Sequence, residues 1–191
     1  MDTQINNKIT QAFERISKTF RVLLWEESKK YKVSPIQIQI LIFCLTHKEY
    51  MLKVTSLAKE FDLTKATISD SIRVLLKKEL LIKVPDTNDS RSYTLRLTKK
   101  GKDIAVKTSS FTETLAASIG ELDDGDKGFF LKNLLNIINQ LNKKSVISVQ
   151  RMCLTCSQYS KDNGAHYCGL LKKGLTNDEL EIDCFDHKLP A

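Results

Sequence analysis

Four cysteines near the end of the chain have the residue type and the spacing of a metal site. Cys153 and Cys156 are separated by two residues, and Cys168 and Cys184 follow after gaps of eleven and fifteen residues. A Cys-x-x-Cys pair lets two thiolates bind one ion, and the two distant cysteines then close a loop around it. The sequence therefore predicts one metal site, which would supply folding energy that so short a segment lacks.

The spacing leaves the occupant of this site open. Zinc bound by four thiolates is the first choice, and an iron–sulfur cluster, which four thiolates also hold, is the alternative. A disulfide switch and unligated thiols are further interpretations. His187, three residues after Cys184, is an alternative ligand in place of one cysteine, whereas His166 is expected to be a supporting or surface residue. Cys44 lies in an apolar stretch and is expected to be a buried packing thiol.

The positive charge of the chain is concentrated before these cysteines. The 191 residues carry a net charge of +7. Residues 1–144 contain 25 basic and 17 acidic side chains, a net charge of +8, whereas residues 145–191 contain 5 and 6, a net charge of −1. A basic body with a nearly neutral tail favours a polyanion as the partner of the body. The change in composition predicts two domains, 1–144 and 145–191.

Membrane, secretory and enzymatic features are missing from the sequence. No apolar run approaches the roughly 20 residues that cross a bilayer, and the first residues lack the basic and apolar regions of a secretory signal. We therefore expect a cytoplasmic protein with reduced thiols. We expect no enzyme, because no Ser-His-Asp set, pair of catalytic carboxylates or phosphate-binding glycine loop is evident.

The first half of the chain predicts a helix-turn-helix. Residues 4–30 form an amphipathic pattern, and Ser34-Pro35 marks the start of a second helix, although alternating isoleucines make a strand the rival interpretation. Residues 54–61 predict a short helix, and Thr64 is a good cap for a longer helix over 65–80. A short helix, a tight turn and a longer capped helix are typical of a unit that places its second helix in a major groove.

The outward face of that second helix offers hydroxyl and cationic groups. Such groups donate hydrogen bonds to phosphates and to base edges. The candidate DNA-binding residues are Thr64, Lys65, Thr67, Ser69, Ser71 and Arg73. The competing interpretation is a plain helical hairpin with a solvated polar face.

A β-hairpin is predicted directly after the second helix. Residues 80–84 are apolar and β-prone, 85–90 form a turn-rich cluster, and 91–97 alternate as a return strand. Arg91 at the tip could enter a narrow minor groove, where the negative potential is strongest. Asp86 and Asp89 would repel DNA if they were free, so we expect at least one of them to hold Arg91 in place. The alternative is an ordinary surface hairpin.

The last long helix is predicted to begin near Asp123 and to need burial on two sides. Its apolar residues are too many for one narrow stripe; they are Phe129, Phe130, Leu134, Leu135, Ile137, Ile138 and Leu141. This pattern favours a homodimer over burial inside one monomer, because two copies would also match two half-sites of a palindromic operator. The predicted fold is therefore mainly α with a small β-hairpin wing, a helical dimerisation region and a small cysteine-rich C-terminal module.

These residues together resemble the MarR family of regulators. The resemblance covers about residues 5–144 and is carried by Ser34-Pro35, the helix pair from Val54, the Asp-x-x-Asp-x-Arg wing tip and the Leu-Thr-x-x-Gly step at 97–101. It implies a homodimer of winged helix-turn-helix domains that represses genes and releases DNA when a small ligand or an oxidant acts. Pro85 departs from the family, which usually has a basic residue there. Similar Cys-x-x-Cys tails ending in Asp-Cys-x-x-His also occur on MarR-like chains.

The predicted function is therefore a homodimeric DNA-binding transcription regulator, in the first instance a repressor, with a structural or sensory metal-bound tail. Two alternatives remain at this stage. One is the same DNA-binding domain with an iron–sulfur or thiol redox sensor. The other is a protein-interaction module that binds no DNA, and it predicts no salt-dependent DNA affinity.

Overall fold

The computed structural model describes residues 2–85, 92–148 and 150–189, which fold into two compact units. The first unit contains Met1–Ala58 and Leu63–Ala116, and the second contains Lys59–Asp62 and Ala117–Ala191. The helices are α1 (Asp2–Tyr31), α2 (Pro35–Thr46), α3 (Val54–Glu60), α4 (Lys65–Lys77), α5 (Lys99–Thr108), α6 (Glu113–Gly120) and α7 (Asp124–Lys143). The strands are β1 (Leu81–Pro85), β2 (Tyr93–Leu97), β3 (Tyr159–Asp162), β4 (Ala165–Cys168) and β5 (Lys173–Leu175).

The α2 segment is a helix, not the strand that its alternating isoleucines also allowed. Ser34 and Gln37 form a reciprocal capping box, and Pro35 occupies the first turn. The cap satisfies backbone donors that a helix start leaves without partners. Six of the twelve residues of α2 are buried and Thr46 alone is exposed, which explains why its sequence shows no polar face; the buried apolar residues are Ile38, Ile40, Leu41, Phe43 and Cys44.

The predicted hairpin is confirmed as an antiparallel pair of strands. β1 and β2 pair in a register that aligns Leu81 with Leu97 and Pro85 with Tyr93. The amide of Leu95 donates to the carbonyl of Leu52, so β2 is also bonded to the loop before α3. The mainly helical fold with a small β-hairpin agrees with the prediction.

The second unit contains a three-stranded sheet that was not predicted from the sequence. β3, β4 and β5 are antiparallel neighbours in that order. Asn163 and Gly164 connect β3 to β4 with positive φ angles of 46° and 88°. An Asn-Gly pair favours this kind of two-residue hairpin turn, so this signal was present in the sequence and was missed.

A small hydrophobic core holds the second unit together. Leu135 of α7 packs with Met152, Cys153 and Leu180, all of them buried. α7 lies within the predicted first domain, 1–144, but shares its core with the cysteine-rich segment. None of the helices within the described residues has the length and hydrophobicity that crossing a lipid bilayer requires.

Cys44 is buried in α2, as predicted, and this burial has a measurable consequence. Burial raises the pKa of the Cys44 thiol to about 12, so the reactive thiolate is scarce at ordinary pH. We expect Cys44 to resist iodoacetamide in the native protein and to react fully after unfolding in guanidinium, as measured by peptide mass spectrometry. Ser110→Cys, which places a thiol at an exposed position of the same unit, is the matched control. Equal alkylation rates at the two positions in the native protein would contradict the buried site.

Candidate nucleic-acid interface and cysteine cluster

α4 begins at a side-chain cap. Thr64 has an extended backbone, and its hydroxyl accepts a hydrogen bond from the Thr67 amide at 3.1 Å. The two threonine hydroxyls lie 2.9 Å apart. This cap fixes the start of the helix and leaves both hydroxyl groups at its exposed N-terminal end, where donors to phosphate are most useful.

The buried face of α4 fixes which side chains can reach a partner. Ile68, Ile72 and Leu75 are buried in the first unit, so Asp70, Arg73 and Lys77 are exposed on the opposite face. Lys65 and Thr67 are exposed in the first turn of the helix. Ser69 is half-buried at the edge of that face. Thr64, Lys65, Thr67 and Arg73 are all exposed, and we call these four residues the α4 face.

The predicted outward position of Ser71 was wrong. Ser71 is buried, and its hydroxyl donates to the Thr67 carbonyl at 3.0 Å. At about 100° per residue, Ser71 lies beside Leu75 on the helix surface, and its bond to the preceding turn satisfies the hydroxyl without solvent. Ser71 therefore does not belong to the α4 face.

Arg73 is exposed and forms an ion pair with Asp70, a residue that was not among the predicted site residues. Its guanidinium lies 2.8 Å from the Asp70 carboxylate, and the two side chains are 77% and 66% exposed. An exposed ion pair of this kind contributes little to stability, so Arg73 can exchange its partner at small cost. The spacing of three residues on a helix was the available signal.

Side-chain contacts hold the two strands of the wing to each other and to the segment before α3. The Lys83 ammonium lies 4.2 Å from the centre of the Tyr93 ring, and the Lys53 ammonium donates to the Ser92 hydroxyl at 3.3 Å. On β2, Arg96 pairs with Glu49 at 3.2 Å. The predicted tip residues Asp86, Asp89 and Arg91 lie outside the described residues, so their roles stay predictions.

The exit from the wing is tied to the end of α4. The Thr98 amide donates to the Leu80 carbonyl at 3.1 Å, and the Thr98 hydroxyl donates to the Glu79 carbonyl at 2.7 Å. The same hydroxyl accepts from the Gly101 amide at 3.0 Å, which caps α5. Helix, wing and following helix are therefore linked at one point.

The order of elements here is a capped helix with an exposed polar face, a pair of strands and a second capped helix. Residues 31–92 match the model of the MarR family. Among curated proteins, none matches the chain. The cysteine-rich segment lies outside the MarR match.

Solved structures with the MarR fold resemble the chain over most of their own length. The Staphylococcus aureus MepR–DNA complex is 22% identical, with a TM-score of 0.61 over 69% of this chain and 97% of that chain. MepR in its DNA-binding conformation is 20% identical, with a TM-score of 0.62 over 70% and 98%. A MarR transcriptional regulator from Methanosarcina mazei Go1 is 19% identical, with a TM-score of 0.59 over 72% and 98%. At these identities the likeness establishes the MarR-type winged-helix fold.

Beyond the MarR match, backbone bonds gather the four cysteines of the second unit. Cys153 and Cys156 lie on one 3-10 turn, and the Tyr159 amide donates to the Cys156 carbonyl at 3.1 Å. Cys168 ends β4 opposite Tyr159. The Cys184 amide donates to the carbonyl of Arg151 at 2.7 Å, two residues before Cys153. Segments far apart in the sequence thus meet at this turn.

The cysteine thiols are electrostatic neighbours. Burial raises the pKa of Cys153, the Glu181 amide lowers it, and negative charge on Cys184 or Cys168 raises it further. Burial also raises the pKa of Cys184. None of the five cysteines, all of which lie within the described residues, forms a disulfide. Within the part of the chain that the structure describes, no three His, Cys, Asp or Glu side chains stand in the arrangement of metal ligands.

Both histidines of the second unit have hydrogen-bond partners. His166 is buried, with one ring nitrogen 2.6 Å from the Tyr159 hydroxyl and the other 3.2 Å from the Asn177 side-chain oxygen. It supports the sheet and is not a surface residue. His187 lies 3.0 Å from the Thr155 hydroxyl, and burial lowers its pKa.

Arg151, two residues before Cys153, contacts residues of the segment Lys59–Asp62. The Arg151 guanidinium bonds to Glu60 at 2.7 Å and to Asp183 at 2.8 Å. The Ser148 hydroxyl donates to the Lys59 carbonyl at 2.7 Å, and its amide donates to Asp62 at 3.0 Å. These contacts explain why Lys59–Asp62 belong to the second unit.

Proposed function

We propose that the chain is a DNA-binding transcription regulator whose α4 face contacts a duplex as part of a homodimer. The observation that carries this proposal is the α4 face itself. A capped helix presents threonine hydroxyls and the cations of Lys65 and Arg73 away from its buried side, directly before a two-stranded wing. A helix of this diameter fits a major groove, and its N-terminal half reaches base edges.

The comparison with MepR supports a nucleic-acid partner. The structure of MepR with DNA shares its fold with 69% of the residues of this chain. The charge of this chain agrees, because its first 144 residues have a net charge of +8, from 25 basic and 17 acidic side chains. A basic surface lowers the free energy of association with phosphates by releasing bound counterions. Repression is the proposed outcome of binding, as the MarR resemblance implies.

Exposed apolar residues support the homodimer. In α1, six large apolar side chains are exposed: Ile5, Ile9, Ile16, Phe20, Val22 and Trp25. In α7, Phe129 is 66% exposed, and Phe130, Ile137 and Leu141 are exposed as well. Large exposed apolar patches typically mark contacts with other chains. A second copy would cover both helices and would supply a second α4 face for the other half-site of an operator.

Arg73→Ala is expected to weaken duplex binding about tenfold, or about 1.4 kcal/mol, and to reduce the salt slope of log K by about 1. The reason is the loss of one cation that contacts phosphate or base. Fluorescence anisotropy with duplexes enriched from a random library by the wild-type protein measures both quantities. Lys107→Ala, which removes one exposed charge from the last turn of α5, should change the affinity and slope little.

Two results would overturn the proposed function. One is wild-type affinity for DNA that does not fall as salt rises, which is the behaviour of the non-DNA interaction module. The other is an Arg73→Ala variant with the affinity and slope of the Lys107→Ala control. The dimer is tested separately by sedimentation, where a monomer at the concentrations that bind DNA would contradict it.

A further inference from the structure

We propose that Cys153, Cys156, Cys168 and Cys184 bind one zinc ion that closes the fold of the second unit. Backbone hydrogen bonds connect the segments that carry these four cysteines. Cys153 and Cys156 share one turn, Cys168 is tied to it through β3, and Cys184 is bonded to Arg151 just before it. A Cys-x-x-Cys turn followed by a short hairpin and further cysteines is the kind of framework that holds structural zinc with four thiolates. This site does not depend on the proposed DNA binding.

The sulfur of Cys153 already has a donor. The Glu181 amide points to Cys153 Sγ at 3.3 Å, while the Cys153 amide donates to the Glu181 carbonyl at 3.0 Å. Amide bonds to sulfur stabilise a thiolate and orient it toward a metal. These two hydrogen bonds hold the turn that contains Cys153 against Glu181, three residues before Cys184.

The histidines favour the four-thiolate set over a set that includes His187. His187 bonds to Thr155, and His166 is bonded through both ring nitrogens to Tyr159 and Asn177. His166 could bind a metal only by giving up one of these bonds, and His187 only through the ring nitrogen that does not contact the Thr155 hydroxyl. Since no three of the described side chains stand at ligand positions, zinc binding requires the cysteine side chains to change rotamer. Such a change moves Sγ without moving the backbone.

The small core of the second unit explains why a metal is needed. Within the described residues, its buried apolar cluster contains Leu135, Met152, Cys153 and Leu180 with five partly buried neighbours, and its strands have four, four and three residues. A short segment with so small a core does not stabilise long loops on its own. Zinc binding would provide that free energy, since the ligands converge only in the folded state.

Metal content and thiol protection of the full-length protein test the proposal. The protein, purified without oxygen, should contain about one zinc ion per chain. Replacement by Co²⁺ should give the visible bands of tetrahedral cobalt and a thiolate-to-cobalt charge-transfer band. Zinc should also protect four cysteines from alkylation until a chelator is added. Because this measurement uses the wild-type chain, it does not depend on whether a variant folds.

Single Cys→Ser substitutions at the four positions should each lose most of the zinc. Cys44→Ala is the matched control, since Cys44 lies in α2, and His187→Ala should retain the metal. If His187→Ala lost its zinc while one of the Cys→Ser variants kept its zinc, the four-thiolate set would be overturned. A brown protein with broad visible absorbance would overturn zinc in favour of an iron–sulfur cluster. Metal-free protein with all four thiols reactive would overturn the site itself. None of these results changes the salt dependence of DNA binding, so the two proposals fail separately.

Discussion

Gly101→Ala is expected to destabilise the first unit by about 3 kcal/mol or more, which places it among the severe overpacking substitutions. A Cβ built on Gly101 would lie 1.9 Å from the Leu80 carbonyl oxygen and 2.9 Å from its carbon. Both atoms belong to the backbone, so no side-chain rotation relieves the clash. The Leu80 carbonyl is also held in place, because it accepts from the Thr98 amide. One glycine thus allows α5 to pass close to the start of the wing.

Gly120→Ala is the matched control for this prediction. A Cβ at Gly120 meets nothing within 4 Å, and the residue ends α6. Alanine favours the helix over glycine by about 1 kcal/mol at most, so this variant should be neutral or slightly more stable. Urea unfolding followed by far-ultraviolet circular dichroism measures both changes. If the unfolding free energies of the two variants agree within error, the close approach at Gly101 does not constrain the fold.

The sequence was sufficient where a local chemical feature determines the structure. Ser34-Pro35 predicted the start of α2, and Thr64 predicted the start of α4, because a cap acts on amides within three residues of it. The turn-rich segment after Val84 predicted the wing, because residues that favour turns also act locally. Gly101 formed part of the Leu-Thr-x-x-Gly step that carried the MarR resemblance, and the structure now gives its physical basis in the contact with Leu80.

The sequence was insufficient where partners come from distant segments. Ser71 was not such a case, since its position beside Leu75 follows from the helical repeat of α4 and could have been predicted from the sequence. His166 is buried because β3 brings Tyr159 and a later loop brings Asn177. The contacts of Lys59–Asp62 with Ser148 and Arg151 join segments almost ninety residues apart, with separations of 86 to 91 positions. Local patterns contain no information on such pairings.

Leu135→Ala is expected to destabilise the second unit by about 3 kcal/mol. Leu135 is fully buried at the centre of the core formed with Met152 and Leu180. The substitution removes apolar contacts and leaves a cavity that so small a core cannot refill by repacking. Hydrogen exchange of the β3–β4 amides, followed by mass spectrometry, measures the loss for this unit separately from the first.

Leu171→Ala makes the same chemical change on the surface of the same unit and should have little effect, since Leu171 is 60% exposed. Equal exchange rates in the two variants would show that the core around Leu135 does not stabilise the sheet. The metal proposal adds a second expectation. Cys153 belongs to both the core and the proposed zinc site. The destabilisation by Leu135→Ala and the destabilisation by zinc removal should therefore be non-additive. Leu135→Ala should then also weaken zinc retention, because the energy that assembles the ligands is partly the energy of this core.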